Sequence, residues 1–292
     1  MKILISKLPL SGWWNSGIPK YKDNPAMQKG LIPNYKKLNE ERKNLISILK
    51  NENQNVIEIE FPKILDKTDP KHDFIFVRDQ FISDQNGKII ILRSGEPLRR
   101  IENIVMKNIL KKQGYNIIQM PNISGFRADG GEFYFCNKEN ILFSGIQRNT
   151  KKGINYVANT LKVNELVILN GNGYHLDTFF TPVLNKKNII CAVIVCSSLL
   201  TEESKKNLYN FSHNKNIPVF DIPLNDSIGT SNKIGSFAVN ALPLPGVLIS
   251  PNSFTNLSID KKLLDLGVKR IITPTSQFEL SGGSIHCITN EL

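Results

Sequence analysis

The chain has 292 residues, 40% hydrophobic and 22% charged, an ordinary globular composition with enough length to bury a large core. No stretch approaches the ~18 consecutive apolar residues of a membrane span, and the run after Met1-Lys2 is too short for a signal peptide, so a cytoplasmic protein with no membrane partner is expected. The net charge of +11 comes from 37 basic residues scattered without a dense Arg/Lys block, which reads as a solvated Lys-rich surface and not as a nucleic-acid footprint.

The predicted elements, taken in chain order, repeat a pattern. Residues 8–34, rich in Gly, Pro and Ser and carrying Trp13 and Trp14, show no periodicity; they read either as a surface loop or as a lid over a site. Apolar residues at helical spacing, such as Leu38, Leu45, Ile46 and Leu49, predict amphipathic helices over Tyr35–Asn51, Arg99–Gly114, Lys151–Lys162, Thr201–Asn214 and Ser258–Leu266. A strand-like run follows each: Val56–Phe61, Asn116–Met120, Leu166–Leu169, Ile217–Phe220 and Arg270–Thr273. Extended runs precede most of the helices, among them Phe74–Val77, Lys88–Leu92 and Ile141–Phe143. The recurring unit is two strands, a helix and a strand, with no sequence identity between copies. Five such units closed into a ring predict a single α/β domain over residues 1–292, with a concave site where strand ends collect at the centre.

Of the four cysteines, Cys136, Cys191 and Cys196 sit in apolar runs and read as small buried hydrophobes; the absence of any CxxC pair gives a zinc site little support. Cys287 differs, because it follows Gly282-Gly283-Ser284 and His286. A glycine turn can present it into a cavity, although a buried strand cysteine is the plainer reading of that segment alone. In Tyr174-His175-Leu176-Asp177, an extended backbone would place His175 and Asp177 on one face, where a carboxylate raises imidazole basicity. A structural His–Asp pair is the competing reading. Two further acidic segments are Asp129-Gly130-Gly131-Glu132, with Glu132 open to a structural role, and Asp73-Phe-Ile-Phe-Val-Arg78-Asp79; solvated charges are the alternative for each. Together, a thiol, a histidine and separated acids suit a guanidinium. That group is planar, always charged, and gripped by carboxylates through its fixed fork of N–H donors, which leaves its central carbon open to a thiolate.

These motifs, in this order, resemble the guanidino-group-modifying superfamily called penteins, whose members include arginine deiminase, dimethylarginine dimethylaminohydrolase, agmatine deiminase and the amidinotransferases. The resemblance runs from Asp73 to Leu292 and more loosely before. It implies a five-bladed α/β propeller of ββαβ pseudo-repeats, a small-molecule guanidino substrate, no metal and no cofactor, with a homodimer open to it. Residue by residue it implies Cys287 as nucleophile, His175 as acid/base, Asp177 as its accompanying carboxylate, and Asp129 and Asp79 as the acids that hold the guanidinium. It further implies Asp73 at the amino-acid end of the substrate and Arg99 on its carboxylate. The chain departs from the pattern at Asn149, where a second carboxylate-binding arginine is usual; Arg148 stands one residue away. Arg78 before Asp79 is closer to arginine deiminase than to the dimethylarginine hydrolases, which often carry Glu there. A related group that removes both guanidine nitrogens carries Asn where Asp79 stands, which argues against that reaction here. The implied activity is hydrolysis to citrulline through a covalent thiouronium on Cys287; an amidinotransferase using an amine acceptor and an inactive binding scaffold are the alternatives.

Overall fold

Apolar strands too short to form one large sheet, each followed by an amphipathic helix, bury themselves as five three-stranded sheets around a common centre. The computed structural model describes residues 1–10, 24–66, 73–230 and 232–292. Four sheets are built alike from consecutive chain: β3 (Phe81–Ser83), β4 (Lys88–Ile91) and β5 (Asn116–Gln119); β6 (Phe133–Cys136), β7 (Ile141–Gly145) and β8 (Glu165–Leu169); β9 (Phe180–Leu184), β10 (Ile190–Val195) and β11 (Val219–Asp221); β12 (Leu242–Leu244), β13 (Val247–Ser250) and β14 (Lys269–Ile272). In each, an antiparallel hairpin is followed by a helix on the outside and a third strand parallel to the middle one. The fifth sheet takes β1 (Lys2–Ser6) and β2 (Asn55–Ile59) from the start of the chain and β15 (Asn290–Glu291) from its other end, with Ile3 opposite Glu291 and Leu4 opposite Asn290. This is a five-bladed α/β propeller of ββαβ units, as expected.

Local chemistry sets the element ends. The helices Tyr35–Asn51, Lys151–Leu161 and Glu202–Lys215 start behind Asn34, Thr150 and Thr201, whose side chains accept backbone N–H bonds of the first turn. The remaining long helices are Arg100–Lys112 and Ser258–Asp265. All five fall within a few residues of the predicted spans.

Two segments depart from the extended form expected of them. Phe74–Val77 is not a strand but a turn leading into the 3₁₀ turn Val77–Gln80. All four of its side chains are buried, so the run is apolar because protein surrounds it and not because it lines one sheet face. His175 is extended, but Leu176–Thr178 forms a 3₁₀ turn, which breaks the alternation that would have set Asp177 beside it.

The core lies between blades. Phe143, fully buried, packs on Phe180 and Phe211 at ring-centroid distances of 4.9 and 5.1 Å, joining the sheet of β6–β8 to that of β9–β11. Phe143→Ala should therefore cost about 3–5 kcal/mol of unfolding free energy, measured by urea denaturation; a loss below about 1 kcal/mol would contradict this packing role.

Candidate active site

Every blade sends the segment just ahead of its first strand to the centre of the ring. Before β3 this is the turn Val77–Gln80 with Asp79; before β6 it is Asp129 and the 3₁₀ turn Gly130–Glu132; before β9 it is His175 and the turn Leu176–Thr178. Before β12 it is Asn240, and before β15 the one-turn helix Ile285–Ile288, which carries Cys287. Cys287 is thus in neither a loop nor a strand. Gly282, at φ +82, makes the turn that aims this helix inward, and Asn24 sits against it with its Nδ2 donating to the Ser281 carbonyl at 2.8 Å. Asn24 is part of the stretch 8–34, for which a surface loop and a lid are both expected readings; residues 11–23 of that stretch lie outside the described residues.

His175 stands between two acids. Its Nε2 is 3.4 Å from Asp129 Oδ2 and its Nδ1 is 3.7 Å from Asp79 Oδ1. Gly131 allows this approach, since a Cβ there would stand 2.6 Å from His175 Nδ1 and 3.0 Å from Asp79 Oδ1. Burial opposes charge on the ring, but the Asp79 charge and the Asp129 hydrogen bond outweigh it and lift the His175 pKa to about 9. For Asp129, burial opposes ionisation too. The His175 hydrogen bond and charge, with Arg148 and Arg99, overcome it and hold the carboxyl well below the usual range. Asp129 Oδ1 also accepts from Ser94 Oγ at 2.7 Å and from the Gly95 N–H at 3.1 Å.

Asp79 accepts the Gly131 N–H at 3.0 Å and is ion-paired with Arg99. The Arg99 guanidinium also reaches Glu102, through Nε at 3.0 Å and Nη2 at 2.9 Å, so it is clamped by two carboxylates. Arg148 Nη1 lies 4.0 Å from Asp129 Oδ2, and its guanidinium sits 5.7 Å from the Tyr174 ring centroid. Asn149, at the place of the missing arginine, accepts the Asp129 N–H at 2.8 Å and so braces the acid's backbone. Glu132 has a bracing geometry: its two oxygens accept the N–H groups of Arg148 and Leu176 at 2.7 and 2.9 Å, tying the segment that carries His175 to its neighbour. Burial pushes the Glu132 pKa up to about 7, and that of Asp73 likewise to about 7.

Asp177 is not hydrogen-bonded to His175, although, against the opposing effect of burial, the His175 charge helps to lower its pKa after the stronger effect of His286. Its Oδ2 is 2.8 Å from His286 Nδ1 and 3.3 Å from Cys287 Sγ. The turn at Leu176–Thr178 swings this carboxylate away from the face of His175 and towards the Cys287 helix. Burial, followed by the charges of Asp177 and Asp79, pushes the Cys287 thiol well above its ordinary pKa. Two residues missed in the sequence also meet here: His286, which stacks on Tyr134 at 4.2 Å, and Asn240, whose Nδ2 is 3.2 Å from Cys287 Sγ. Asn240 was detectable as a lone amide in the apolar run Phe237-Ala-Val-Asn-Ala-Leu, at the point of the repeat where the other blades place Asp79 and Asp177.

One cavity is lined by Asp73, Asp79, Arg99, Arg148, His175 and Cys287, with Phe76, Tyr174, Asn24 and the Ser281–Gly283 turn. Asp129 and Asp177, both fully buried, stand one contact behind that wall, under His175 and Cys287 respectively. All eight residues singled out in the sequence therefore gather in one place. Residues 34–292 match the model of the family described as N,N dimethylarginine dimethylhydrolase, eukaryotic. The chain belongs to that family. The fold is shared with solved structures of low sequence identity. One is AgrE in ternary complex with ornithine and NAD+, with TM-score 0.80 and 19% identity over 99% of this chain and 39% of that one. The chain thus spans about two fifths of AgrE. Another is the substrate-bound N-terminal domain of ArgZ, an arginine dihydrolase from the Ornithine-Ammonia Cycle in Cyanobacteria, with TM-score 0.79 and 21% identity over 99% of this chain and 96% of that one. A third is dimethylarginine dimethylaminohydrolase as an adduct with 4-chloro-2-hydroxymethylpyridine, with TM-score 0.70, 15% identity and coverage of 100% and 99%.

The His175 environment has a consequence for stability. A folded-state pKa of about 9, above the unfolded value near 6.5, means that the contribution of His175 is fully present below pH ~6.5 and is lost as pH rises through 9. His175→Gln should therefore destabilise the protein more at pH 6 than at pH 10, measured by urea denaturation at both. Equal losses would show that the ring is not held as a cation.

Proposed function

We propose that the protein is a hydrolase of the guanidinium group of arginine or an N-methylated arginine, releasing citrulline and ammonia or an alkylamine. The observation that carries this reading is a single cavity in which a thiol, a cationic histidine and an acid share the wall. The family description, and the arginine chemistry named for the structural neighbours, support the same substrate class.

The substrate guanidinium lies against Asp79 and the His175–Asp129 pair, with its carbon towards Cys287 Sγ. A cation in that position offsets the effect of burial and of the two acids on the thiol, so substrate binding favours the thiolate. Asp177 Oδ2 is the carboxylate in reach of the thiol proton. The sulfur bonds to the guanidinium carbon and forms a tetrahedral adduct. His175, already cationic at neutral pH, gives its proton to the departing nitrogen as the C–N bond breaks, which leaves a thiouronium on Cys287. Neutral His175 then takes a proton from water, whose oxygen adds to the same carbon; the C–S bond breaks and the ureido product leaves. Asp73, whose Oδ1 has no hydrogen-bond partner among the described residues, suits the ammonium of an amino-acid substrate, and Arg148 its carboxylate.

The test is to incubate the protein with arginine, monomethylarginine, dimethylarginine and agmatine, with and without glycine, and to identify the products. Citrulline from one of the arginines is expected, and Cys287→Ser should lower its formation by more than about a thousandfold while leaving the melting temperature unchanged. Ornithine with two equivalents of ammonia would mean a dihydrolase, and guanidinoacetate a transferase. Undiminished turnover by the Cys287→Ser variant would sink the mechanism.

A further inference from the structure

We infer that Asn240 is a further catalytic residue: its side-chain amide donates a hydrogen bond to Cys287 Sγ and holds the thiolate. The inference depends on the hydrolase reading above for the role given to Cys287.

The orientation of the amide is fixed without reference to the sulfur. Its Oδ1 accepts the His286 N–H at 3.1 Å, and its Nδ2 donates to the Asp177 carbonyl at 2.9 Å. Flipping the amide would set N–H against N–H and oxygen against oxygen at these two backbone groups, so Nδ2 must face the carbonyl. One of its two hydrogens is used there. The second points to the sulfur, 3.2 Å away, nearer than the 3.5 Å from Sγ to Oδ1.

The need for such a donor follows from what else surrounds the thiol. Asp177 Oδ2 lies 3.3 Å from the sulfur, and Asp79 faces the same cavity, so the nearby charges oppose a thiolate. Asn240 itself is fully buried in an apolar segment, between Val239 and Ala241, both also fully buried. An amide is costly at such a position unless its groups are all used, and here each one is. Its place two residues before β12 matches that of Asp79 two residues before β3, so the blade of β12–β14 delivers its own group to the centre as the other blades do.

A structural brace between the Asp177 turn and the Cys287 helix would use the same two backbone bonds without affecting the thiol. Iodoacetamide alkylation of the full-length protein separates the two roles, with the Cys287 peptide followed by mass spectrometry across the rising limb of the pH profile. In Asn240→Ala the alkylation rate constant should fall about tenfold at a given pH, equivalent to about one pH unit in the midpoint. In the near-isosteric Asn240→Asp, which keeps an acceptor for the His286 N–H but turns an oxygen to the sulfur, it should fall at least as far. In both, kcat for the preferred guanidino substrate should drop about tenfold or more with KM within about threefold. A lowered melting temperature with unchanged alkylation in the two variants would overturn the inference and leave a brace. If Asn240→Ala fails to fold, the uncharged, similarly sized Asn240→Leu takes its place, since the charge of the Asp variant would slow alkylation by itself. Alkylation needs no substrate, so a protein that turned over none of the guanidines would refute the hydrolase reading while the alkylation rates still reported on Asn240.

Discussion

The interior of this propeller is held together by the compensation of buried charge. Asp79, Glu102, Asp129, Glu132 and Asp177 are all buried near the axis, where an unpaired carboxylate would cost several kcal/mol. None is left alone. Arg99 takes two of them, His175 leans on two, His286 takes one, and Glu132 is met by two backbone N–H groups. Except for Arg99 and Glu102, which share one helix start, each cation or donor comes from a different segment than the acid it satisfies, so these pairings also fix how the inward turns sit against one another. The same bonds that make the burial tolerable set the geometry of the site.

That arrangement reconciles a chain of net charge +11 with the cationic substrate proposed above. The surface carries the lysines, while the cavity wall presents Asp73 and Asp79 with Asp129 directly behind His175. The field a substrate meets is set by groups within a few ångströms in a low-dielectric interior, and distant surface charges are screened within about a Debye length. Arg148 on the same wall suits the far end of the amino-acid substrate proposed above, which carries a carboxylate as well as its guanidinium, while Arg99 is held by Asp79 and Glu102.

The architecture was legible in the sequence because it rests on periodicity. Helices such as Tyr35–Asn51 and strands such as β5 announce themselves by apolar spacing, and the two-strand, helix, strand order repeats down the chain. The site was legible as a collection of residues and not as a set of partnerships. Cys287, His175, Asp79 and Asp129 were found from their motifs, but Asp177 was paired with His175 on the assumption of an extended backbone. A single 3₁₀ turn at Leu176–Thr178 gives it to His286 and Cys287 instead. The fate of Phe74–Val77 has the same cause: these centre-facing turns are surrounded by protein on all sides, so no alternation of polar and apolar residues marks them. For Asn240 the sequence signal is a lone amide in an apolar run, which marks its place in the repeat but not its contact with Cys287.

The strand β15 begins three residues after Cys287 and pairs with β1, at the far end of the chain in sequence. The Cys287 thiol is therefore carried on the latch that shuts the ring. The same segment that leads into β15 brings Cys287 against Asp177 and Asn240 of other blades. One short stretch of chain thus does two jobs: it completes the fifth sheet, and it delivers the thiol to the polar groups gathered from the other blades.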